Sequence, residues 1–307
     1  MKQYYSHGKL LLTGEYLVLD GALALAVPTH QGQYLTVDET DKPRISWISL
    51  DINNKPWFTA EFDLDTNSRV KLLTENNPIA NQLLNLLQKA QDQNPDFLTT
   101  SSGYNLTASL EFPNNWGLGS SSTLINNLAT WANINPYTLS EVTFGGSGYD
   151  IACTQVNSPI TYSIKSDGTR DIKNVAFNPV FKDHLYFIHL NRKQNSRDGI
   201  HKYNMQKQNI QDAIQRINDI TRRFLICDSL NEFTALLNVH EQVISEIIQS
   251  PTIQSELFDD FKGSIKSLGA WGGDFVLVAS NDDPTSYFKR KGYHTIVRYE
   301  DMVLTSI

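Results

Sequence analysis

One stretch near the middle of the chain, PNNWGLGSSST at residues 113–123, constrains the fold more than any other. Gly117 and Gly119 lack a Cβ atom, so the backbone there can bend tightly and come close to a ligand. The serines and the threonine that follow favour a helix N-terminus. Apolar residues then recur at helical spacing from Leu124 to Ala132. The stretch therefore predicts a glycine loop that opens into a helix.

A loop of this kind is suited to binding phosphate. The N–H groups of the first helical turn have no partner within the helix, and the helix dipole is positive at that end. Serine hydroxyls add hydrogen bonds or a ligand for Mg²⁺. The stretch is not a Walker A loop, because no Gly-Lys-Ser/Thr follows at the required spacing. A capped helix after a turn is the alternative, but the density of glycine and serine favours phosphate.

Composition narrows the class of partner. The 307 residues include 26 Lys and Arg and 33 Asp and Glu, a net charge of −7, which argues against nucleic acid or an anionic membrane. An anionic small molecule would need a local cluster of basic groups. Cys153 and Cys227 show neither metal-ligand spacing nor a disulfide framework. With no apolar run long enough for a signal peptide or a membrane span, we predict a cytoplasmic protein.

Apolar periodicity predicts strands and helices in a mixed order. Strands are predicted at residues 9–13, 22–27, 33–37, 45–50, 57–62, 104–112, 160–164, 185–190, 275–279 and 294–298. A hairpin turn is predicted at Asp20-Gly21, and a boundary between domains within residues 166–179. Helices are predicted at residues 78–91, 120–133, 225–249, 253–267 and 284–291, with a further helical stretch from about 199 to 220.

Asp150 and Lys9 are isolated charged residues, and each has one functional and one purely structural interpretation. Asp150 follows a glycine-rich turn at 144–149, where a carboxylate can accept a proton from a substrate hydroxyl or orient Mg²⁺. The alternative is a turn residue that bonds to its own backbone. Lys9 lies inside an apolar run. Its ammonium either reaches solvent or, if buried near an acid, holds a phosphate.

A basic loop and a second glycine turn complete the set of candidates. The loop at residues 191–199 carries three cations and a serine: Arg192, Lys193, Ser196 and Arg197. It is either a solvated surface or the anion clamp that an acidic protein would need. The glycines at 269, 272 and 273 either shape a backbone wall beside a ligand or only introduce a strand. Together with the glycine–serine loop, these parts form a set that suits phosphoryl transfer.

In this order, the motifs resemble the GHMP kinase superfamily, named for galactokinase, homoserine kinase, mevalonate kinase and phosphomevalonate kinase. The similar segments are GKLLLTGEYLVLDGALALA at 8–26, the loop at 113–123, GSGYD at 146–150 and LGAWGGDFVLVAS at 268–280. The resemblance implies an α+β fold of two domains with ATP in the cleft between them. The N-terminal domain, residues 1–170, would be a ribosomal-protein-S5-like α/β domain, and the C-terminal domain, 171–307, a ferredoxin-like α/β domain.

The resemblance also implies a role for each matched position. Asp150 would act on the substrate hydroxyl, and Lys9 beside it would keep it ionised. The implied ATP-binding residues are Pro113, Gly117, Leu118, Gly119, Ser120, Ser121 and Ser122. Ser121 would bind Mg²⁺, with Glu141 the only acidic residue near the place of a second metal ligand. The implied substrate-binding residues are Glu15, Tyr16, Ser147, Gly148, Lys193, Ser196, Arg197, Gly269, Gly272 and Gly273.

Within the family, GEYLVLDG and Gly-Gly-Asp at 272–274 resemble the phosphomevalonate kinase group. The expected function is therefore an ATP- and Mg²⁺-dependent kinase of isoprenoid precursors, a monomer or homodimer acting on 5-phosphomevalonate. Mevalonate kinase is the nearest alternative, and a sugar or amino-acid-alcohol kinase is a further one. Two departures from the family pattern favour an alternative that is not an enzyme. Trp271 stands where the family has a small glycine, and the glutamate that would be a second metal ligand has no clear counterpart. That alternative is a non-catalytic relative that binds a nucleotide or a metabolite.

Overall fold

The computed structural model describes residues 1–64, 69–99, 102–192 and 196–305, with the backbone alone at 196 and 197. The strands are β1 (Lys2–Thr13), β2 (Ala24–Thr40), β3 (Arg44–Leu50), β4 (Pro56–Leu64), β5 (Val70–Leu72), β6 (Gly103–Leu110), β7 (Ile160–Ile164), β8 (Arg170–Asn174), β9 (Leu185–His189), β10 (Ser264–Ser267), β11 (Phe275–Ala279) and β12 (Ile296–Arg298). The helices are α1 (Pro78–Gln93), α2 (Ser120–Ala132), α3 (Pro136–Thr143), α4 (Tyr149–Thr154), α5 (Ser196–Gln206), α6 (Gln211–Ile226), α7 (Leu230–Ile248), α8 (Ile253–Leu257), α9 (Thr285–Arg290) and α10 (Tyr299–Met302).

Two compact units share the chain. The first unit comprises residues 1–8, 31–114 and 119–155, and the second comprises residues 9–30, 115–118 and 156–307. Strands and helices occur in both units, which confirms the predicted α+β class. The units interleave along the sequence, whereas the predicted division at residue 170 is a single cut, and that division stays a prediction.

The first unit is built on one mixed sheet with the strand order β5-β4-β3-β6-β2. Neighbouring strands are antiparallel except β3 and β6, which run parallel. Alternate residues of β6 are buried, as its sequence pattern predicts. Leu35, Trp47 and Leu106 from this sheet share a buried core with Leu87 and Leu128 of the helices.

The helices of the first unit begin where their capping residues predict. The side chain of Asn77 accepts hydrogen bonds from the N–H groups of Ile79 and Ala80, and Pro78 occupies the first position of α1. Asn135 caps α3 in the same way. With their apolar faces turned to the sheet, α1, α2 and α3 bury the core from one side. Helix α2, which follows the glycine loop, therefore shares its core with the sheet and with α1.

The second unit contains an antiparallel sheet with the order β10-β11-β9-β12. The first residues of β2 pair with β7, and β7 pairs with β8. Helix α7 packs on β10 and against α6, where the rings of Phe224 and Phe233 lie 4.6 Å apart. Across the described ranges of the chain, none of the helices has the length and apolar character needed to cross a lipid bilayer.

Four local predictions are wrong. Residues Leu17–Asp20 form a 3-10 turn closed by Gly21 at φ 90°, so Asp20-Gly21 is not a hairpin turn. The helix predicted at 253–267 ends at Leu257, because the chain then turns into β10. The helix predicted at 225–249 is divided at 227–229, since Cys227 takes an extended conformation. The predicted strands at 22–27 and 33–37 are one strand, β2.

Candidate active site

The central part of the glycine loop, residues 115–118, is held by residues of the second unit. The Lys9 Nζ atom donates to the Gly117 carbonyl at 3.2 Å, and the Lys9 N–H donates to the Leu118 carbonyl at 2.9 Å. The predicted ATP-binding residues Gly117 and Leu118 therefore lie against the predicted catalytic Lys9. Its ammonium is half-buried at the loop.

A buried histidine and an aromatic pair hold the beginning of the same segment. His189, which is 2% exposed, places Nε2 at 2.9 Å from the carbonyl oxygen of Asn115. The ring of Trp116 meets the ring of Phe275 edge to face at 5.2 Å. His189 is therefore buried beside the loop.

The N-terminus of α2 carries the remaining part of the glycine loop. Gly119 is the N-cap in the left-handed region, at φ 86° and ψ 41°, and no side chain caps the helix. The hydroxyls of Ser122 and Thr123 donate to the Gly119 carbonyl at 2.8 and 3.2 Å. Ser121 is exposed and Ser120 half-buried. With no capping side chain, the first-turn N–H groups present a positive end that is suited to phosphate.

A buried polar network lies on the flank of α2, within the first unit. We call it the α2 network, and its members are Ser6, Gln33, Thr123, Asn126, Asn127 and Gln155. Asn126 Nδ2 donates to Ser6 Oγ at 2.9 Å, and Gln155 Nε2 donates to Asn126 Oδ1 at 2.8 Å. Because Gln155 is the C-cap of α4, the network ties the helix of the glycine loop to the helix of Asp150.

Asp150 occupies the first turn of α4, directly after Gly148 and Tyr149. Gly148 is the N-cap at φ 86°, a backbone conformation that favours glycine. The Asp150 carboxylate is half-buried, and its Oδ1 accepts a hydrogen bond from the Ile151 N–H at 3.0 Å. Ser147 is 7% exposed. Asp150 belongs to the first unit together with α2, whereas Lys9 belongs to the second.

The donors available for Mg²⁺ are few. In the described ranges, no group of three or more His, Cys, Asp or Glu side chains could hold a metal ion. Ser121 on α2 and Glu141 on α3 are both exposed in the first unit. Mg²⁺ at nucleotide sites is bound through one or two protein oxygens together with waters and the phosphates themselves. This donor set fits an ion that a nucleotide brings with it, rather than one held by the protein alone.

Four ionisable side chains are buried together in the second unit: Glu15, His240, Glu241 and Lys266, each at most 2% exposed. Lys266 Nζ donates to Glu15 Oε1. The Gly14 N–H donates to His240 Nε2 at 3.0 Å, so the imidazole accepts a hydrogen bond at that atom. Burial lowers the pKa of His240 well below its usual value, and it raises the pKa of Glu15 against the opposing effect of Lys266.

The glycine turn at residues 268–274 lies on this cluster. The Gly269 N–H donates to the Glu15 carboxylate. The Trp271 N–H donates to the hydroxyl of Tyr16 at 3.0 Å, and the Trp271 ring nitrogen donates to the Pro251 carbonyl at 3.0 Å. The predicted substrate-binding residues Glu15, Tyr16 and Gly269 are therefore brought together in one unit.

Part of the predicted anion clamp lies outside the described residues. Lys193 and the side chains of Ser196 and Arg197 belong to that part. Arg192 is described, and its Nη1 lies 4.0 Å from Oε1 of Glu256, with both side chains about half exposed. Such an exposed pair contributes little to stability.

The sequence patterns do not reveal three buried ionisable residues of the candidate site: His240, Glu241 and Lys266. Lys266 falls in a segment that the periodicity assigned to a helix, where a lysine would be solvated. The helix prediction also concealed that Lys266 comes two residues before the glycine turn. A lysine followed closely by LGAWGG, rather than the helical period, was the available signal. His240 and Glu241 lie on the buried side of α7, and their sequence neighbourhood does not reveal a partner.

Comparison with known proteins identifies the fold. No protein-family profile matches the sequence, and no curated protein matches it. Among solved structures, Methanococcus jannaschii mevalonate kinase superposes with a TM-score of 0.69 at 15% identity, over 99% of this chain and 98% of that chain. Streptococcus pneumoniae phosphomevalonate kinase, in complex with phosphomevalonate and AMPPNP, gives 0.69 at 17% identity, over 97% and 100%. Lactococcus lactis galactokinase complexed with galactose gives 0.70 at 14% identity, over 99% and 94%.

Proposed function

We propose, on the premise that this chain has the GHMP kinase fold along its whole length, that it is an ATP-dependent kinase of a small anionic metabolite. The proposed substrate is 5-phosphomevalonate. The observation that carries the proposal is the glycine loop, in which an uncapped helix N-terminus follows a glycine segment held by Lys9. A binding site for the phosphates of ATP needs main-chain donors, a positive helix end and a nearby cation.

The glycine loop would bind the nucleotide. In this proposal, N–H groups from Gly119 to Ser122 donate to phosphate oxygens, and Pro113, Gly117 and Leu118 shape the approach. The absence of a Cβ atom at Gly117 lets the loop backbone pass close to the Asp274 side chain. Lys9 would add positive charge where negative charge develops in the transition state. An ammonium half-buried at the loop interacts more strongly with phosphate than one in bulk water.

Asp150 would position the substrate hydroxyl and accept its proton. The hydroxyl oxygen forms a bond to the γ-phosphorus, the bond from that phosphorus to the bridging oxygen breaks, and ADP leaves. The half-buried carboxylate on α4 belongs to the same compact unit as α2. Because phosphoryl transfer depends mainly on positioning and charge stabilisation, the geometry of α2 relative to α4 within this unit matters.

Mg²⁺ would enter with the nucleotide. The exposed hydroxyl of Ser121 and the carboxylate of Glu141 are the protein oxygens proposed to hold it. When bound, the ion neutralises charge on the phosphates. The chain's own contribution would be these two exposed side chains, Ser121 at an uncapped helix end and Glu141 on α3.

The proposed substrate-binding residues come from three segments: the turn before Asp150, the glycine turn at 268–274 and the basic loop at 191–199. Ser147 and Gly148 precede the proposed base, and the glycine turn at 268–274 offers backbone N–H groups. Lys193, Ser196 and Arg197 would bind an anionic group already present on the substrate. The Streptococcus pneumoniae enzyme of this fold is complexed with phosphomevalonate, which supports a phosphorylated substrate here.

A coupled assay of ADP release tests the proposal. Purified protein with ATP and Mg²⁺ is given 5-phosphomevalonate, mevalonate, homoserine or galactose in turn, with a no-substrate reaction as background. Turnover with 5-phosphomevalonate above the other substrates is expected. Preferred turnover with mevalonate or galactose would show that the protein is a kinase of that substrate instead. The absence of turnover with every substrate would overturn the kinase proposal.

A non-catalytic relative is the second candidate, favoured by Trp271 in the glycine turn. The Trp271 backbone is bonded to Tyr16 and its ring nitrogen to Pro251, so this large side chain is fixed in place where the family has glycine. Isothermal titration calorimetry separates the candidates. Binding of AMPPNP without any ADP release from ATP would establish the non-catalytic relative.

A further inference from the structure

We infer that Glu15, Tyr16 and Lys266 form a clamp that positions the glycine turn at 268–274, so that Gly272 and Gly273 present their N–H groups to the substrate. The inference rests on the proposed function for what the turn binds. In this inference, Lys266 is a positioning residue, and Glu15 and Tyr16 hold the turn by accepting hydrogen bonds from its N–H groups.

The clamp fixes the residue at which the turn begins. Lys266 Nζ donates to the Ser267 carbonyl at 2.7 Å as well as to Glu15. The Ser267 N–H lies 3.1 Å from both carboxylate oxygens of Glu241, and its hydroxyl donates to Glu241 Oε1 at 2.9 Å. Both backbone polar groups of Ser267 are therefore bonded to buried charged side chains. The direction in which the chain enters the turn is set by side chains from β10 and α7.

The same clamp fixes alternate residues within the turn. Glu15 accepts from the Gly269 N–H, and Tyr16 accepts from the Trp271 N–H at 3.0 Å. Gly272 and Gly273 donate their N–H groups to no protein acceptor among the residues that the structure describes. Donors fixed in this way favour an anionic ligand, because their orientation needs no rearrangement when the ligand binds.

Tyr16 is itself held in place by its backbone conformation and by contacts with helix α5. Its backbone lies at φ 60° and ψ −50°, a conformation that a residue with a side chain rarely adopts. Its ring stacks on Tyr203 of α5, with ring centres 5.7 Å apart. A Cβ atom at Gly199 would lie 2.6 Å from the Tyr16 hydroxyl oxygen, so α5 closes on that hydroxyl. The hydroxyl therefore has a defined place from which to accept the Trp271 N–H.

Stability alone does not explain a buried cluster of this composition. Burying an ion pair costs desolvation energy that its attraction barely repays, and apolar residues of similar size are often as stable. Here the three other members of the cluster, Glu15, Glu241 and Lys266, each bond to the backbone of the turn or to Ser267 before it. This arrangement supports positioning as the role of the cluster.

The first test removes one clamp bond and keeps the ring. Tyr16→Phe retains the stack on Tyr203 but loses the acceptor for the Trp271 N–H. Tyr203→Phe is the matched control, because it loses a hydroxyl of the same stacked pair, the one that donates to Asp20 at 2.5 Å. Hydrogen-exchange mass spectrometry of a peptide covering 268–274 should show about tenfold faster exchange in Tyr16→Phe. Unchanged exchange in that variant, or equal acceleration in the control, would overturn the clamp.

The second test separates positioning from stability. Glu15→Gln and Lys266→Met each leave a buried charge without its partner, and both should lower the melting temperature. The double variant removes both charges and should recover much of that loss, while kcat stays about tenfold lower and the KM for ATP changes little. Full recovery of kcat with stability would show that the pair is only structural. If the wild type transfers no phosphate, the kinase proposal fails but the exchange test still decides the clamp.

Discussion

Gly117 lies so close to the side chain of Asp274 that a Cβ atom at 117 would come within 2.3 Å of Oδ2. Gly117 is also in the left-handed region, at φ 66°. Two independent constraints, backbone conformation and contact with a carboxylate, thus require glycine at this position of the loop. Asp274 is fixed in turn, because its N–H donates to the Arg192 carbonyl and its carbonyl accepts from the Leu190 N–H, both at 2.8 Å.

We expect Gly117→Ala to weaken ATP binding by about tenfold or more, because the loop must shift away from Asp274 for the methyl group to fit. The left-handed conformation alone should cost about 1–2 kcal/mol of stability. Calorimetric titration with AMPPNP measures the affinity, and thermal unfolding measures the stability.

Gly168→Ala is the matched control for this substitution. Gly168 has a similar conformation, at φ 80°, but a Cβ atom there would meet nothing within 4 Å. The control should show the conformational cost without any loss of nucleotide affinity. Equal affinity in both variants would remove Gly117 from the nucleotide site.

The sequence predicts the glycine loop and helix α2 correctly, but it does not predict the strand that carries Lys266. Glycine and serine at 117–122 are explicit signals of a loop that enters a helix, and the structure places α2 as expected. The segment around Lys266 was assigned incorrectly, because a short buried strand has no helical or alternating pattern of its own. Its lysine is satisfied by Glu15, 251 positions away in the chain, and single-sequence periodicity contains no information on such pairs.

Asp150→Asn should reduce kcat by about 10²-fold or more if Asp150 accepts the substrate proton. Asparagine preserves the volume and the bond to the Ile151 N–H, so that α4 should keep its position. Steady-state kinetics with the substrate identified by the ADP-release assay measures the effect. Asp167→Asn is the control, since Asp167 lies in a turn where it accepts from Thr169. A rate equal to that of the control would exclude Asp150 as the base.

Glu241→Gln should change how stability depends on pH. Burial raises the pKa of Glu241 from 4.5 to about 7, so the folded protein holds this proton more tightly than the unfolded chain. Its contribution to stability therefore falls as pH rises from about 4.5 to 7, by about 3 kcal/mol at most. Glutamine does not titrate, and its oxygen can still accept from Ser267.

Relative to wild type, Glu241→Gln should therefore gain stability as pH rises through that window. The measurement is urea unfolding at several pH values between 4.5 and 7.5. Burial lowers the pKa of His240, which makes the folded protein less stable as pH falls below about 6.5, in both proteins alike. The difference between the two proteins isolates Glu241. A difference that does not vary with pH would contradict the raised pKa.

Asn126→Ala should cost about 1–3 kcal/mol of stability, because Gln155 Nε2 loses its acceptor and Ser6 Oγ loses a donor in a buried setting. Since the same side chain links α2 to the end of α4, we also expect a loss of roughly threefold to tenfold in kcat. Thr130→Val is the control on the same helix. It removes only a hydroxyl that bonds back to the Asn126 carbonyl, and should cost less than about 0.5 kcal/mol. Urea unfolding and steady-state kinetics of both variants test this. If Asn126→Ala behaved like the control, the α2 network would have no part in holding the glycine loop and the proposed base in register.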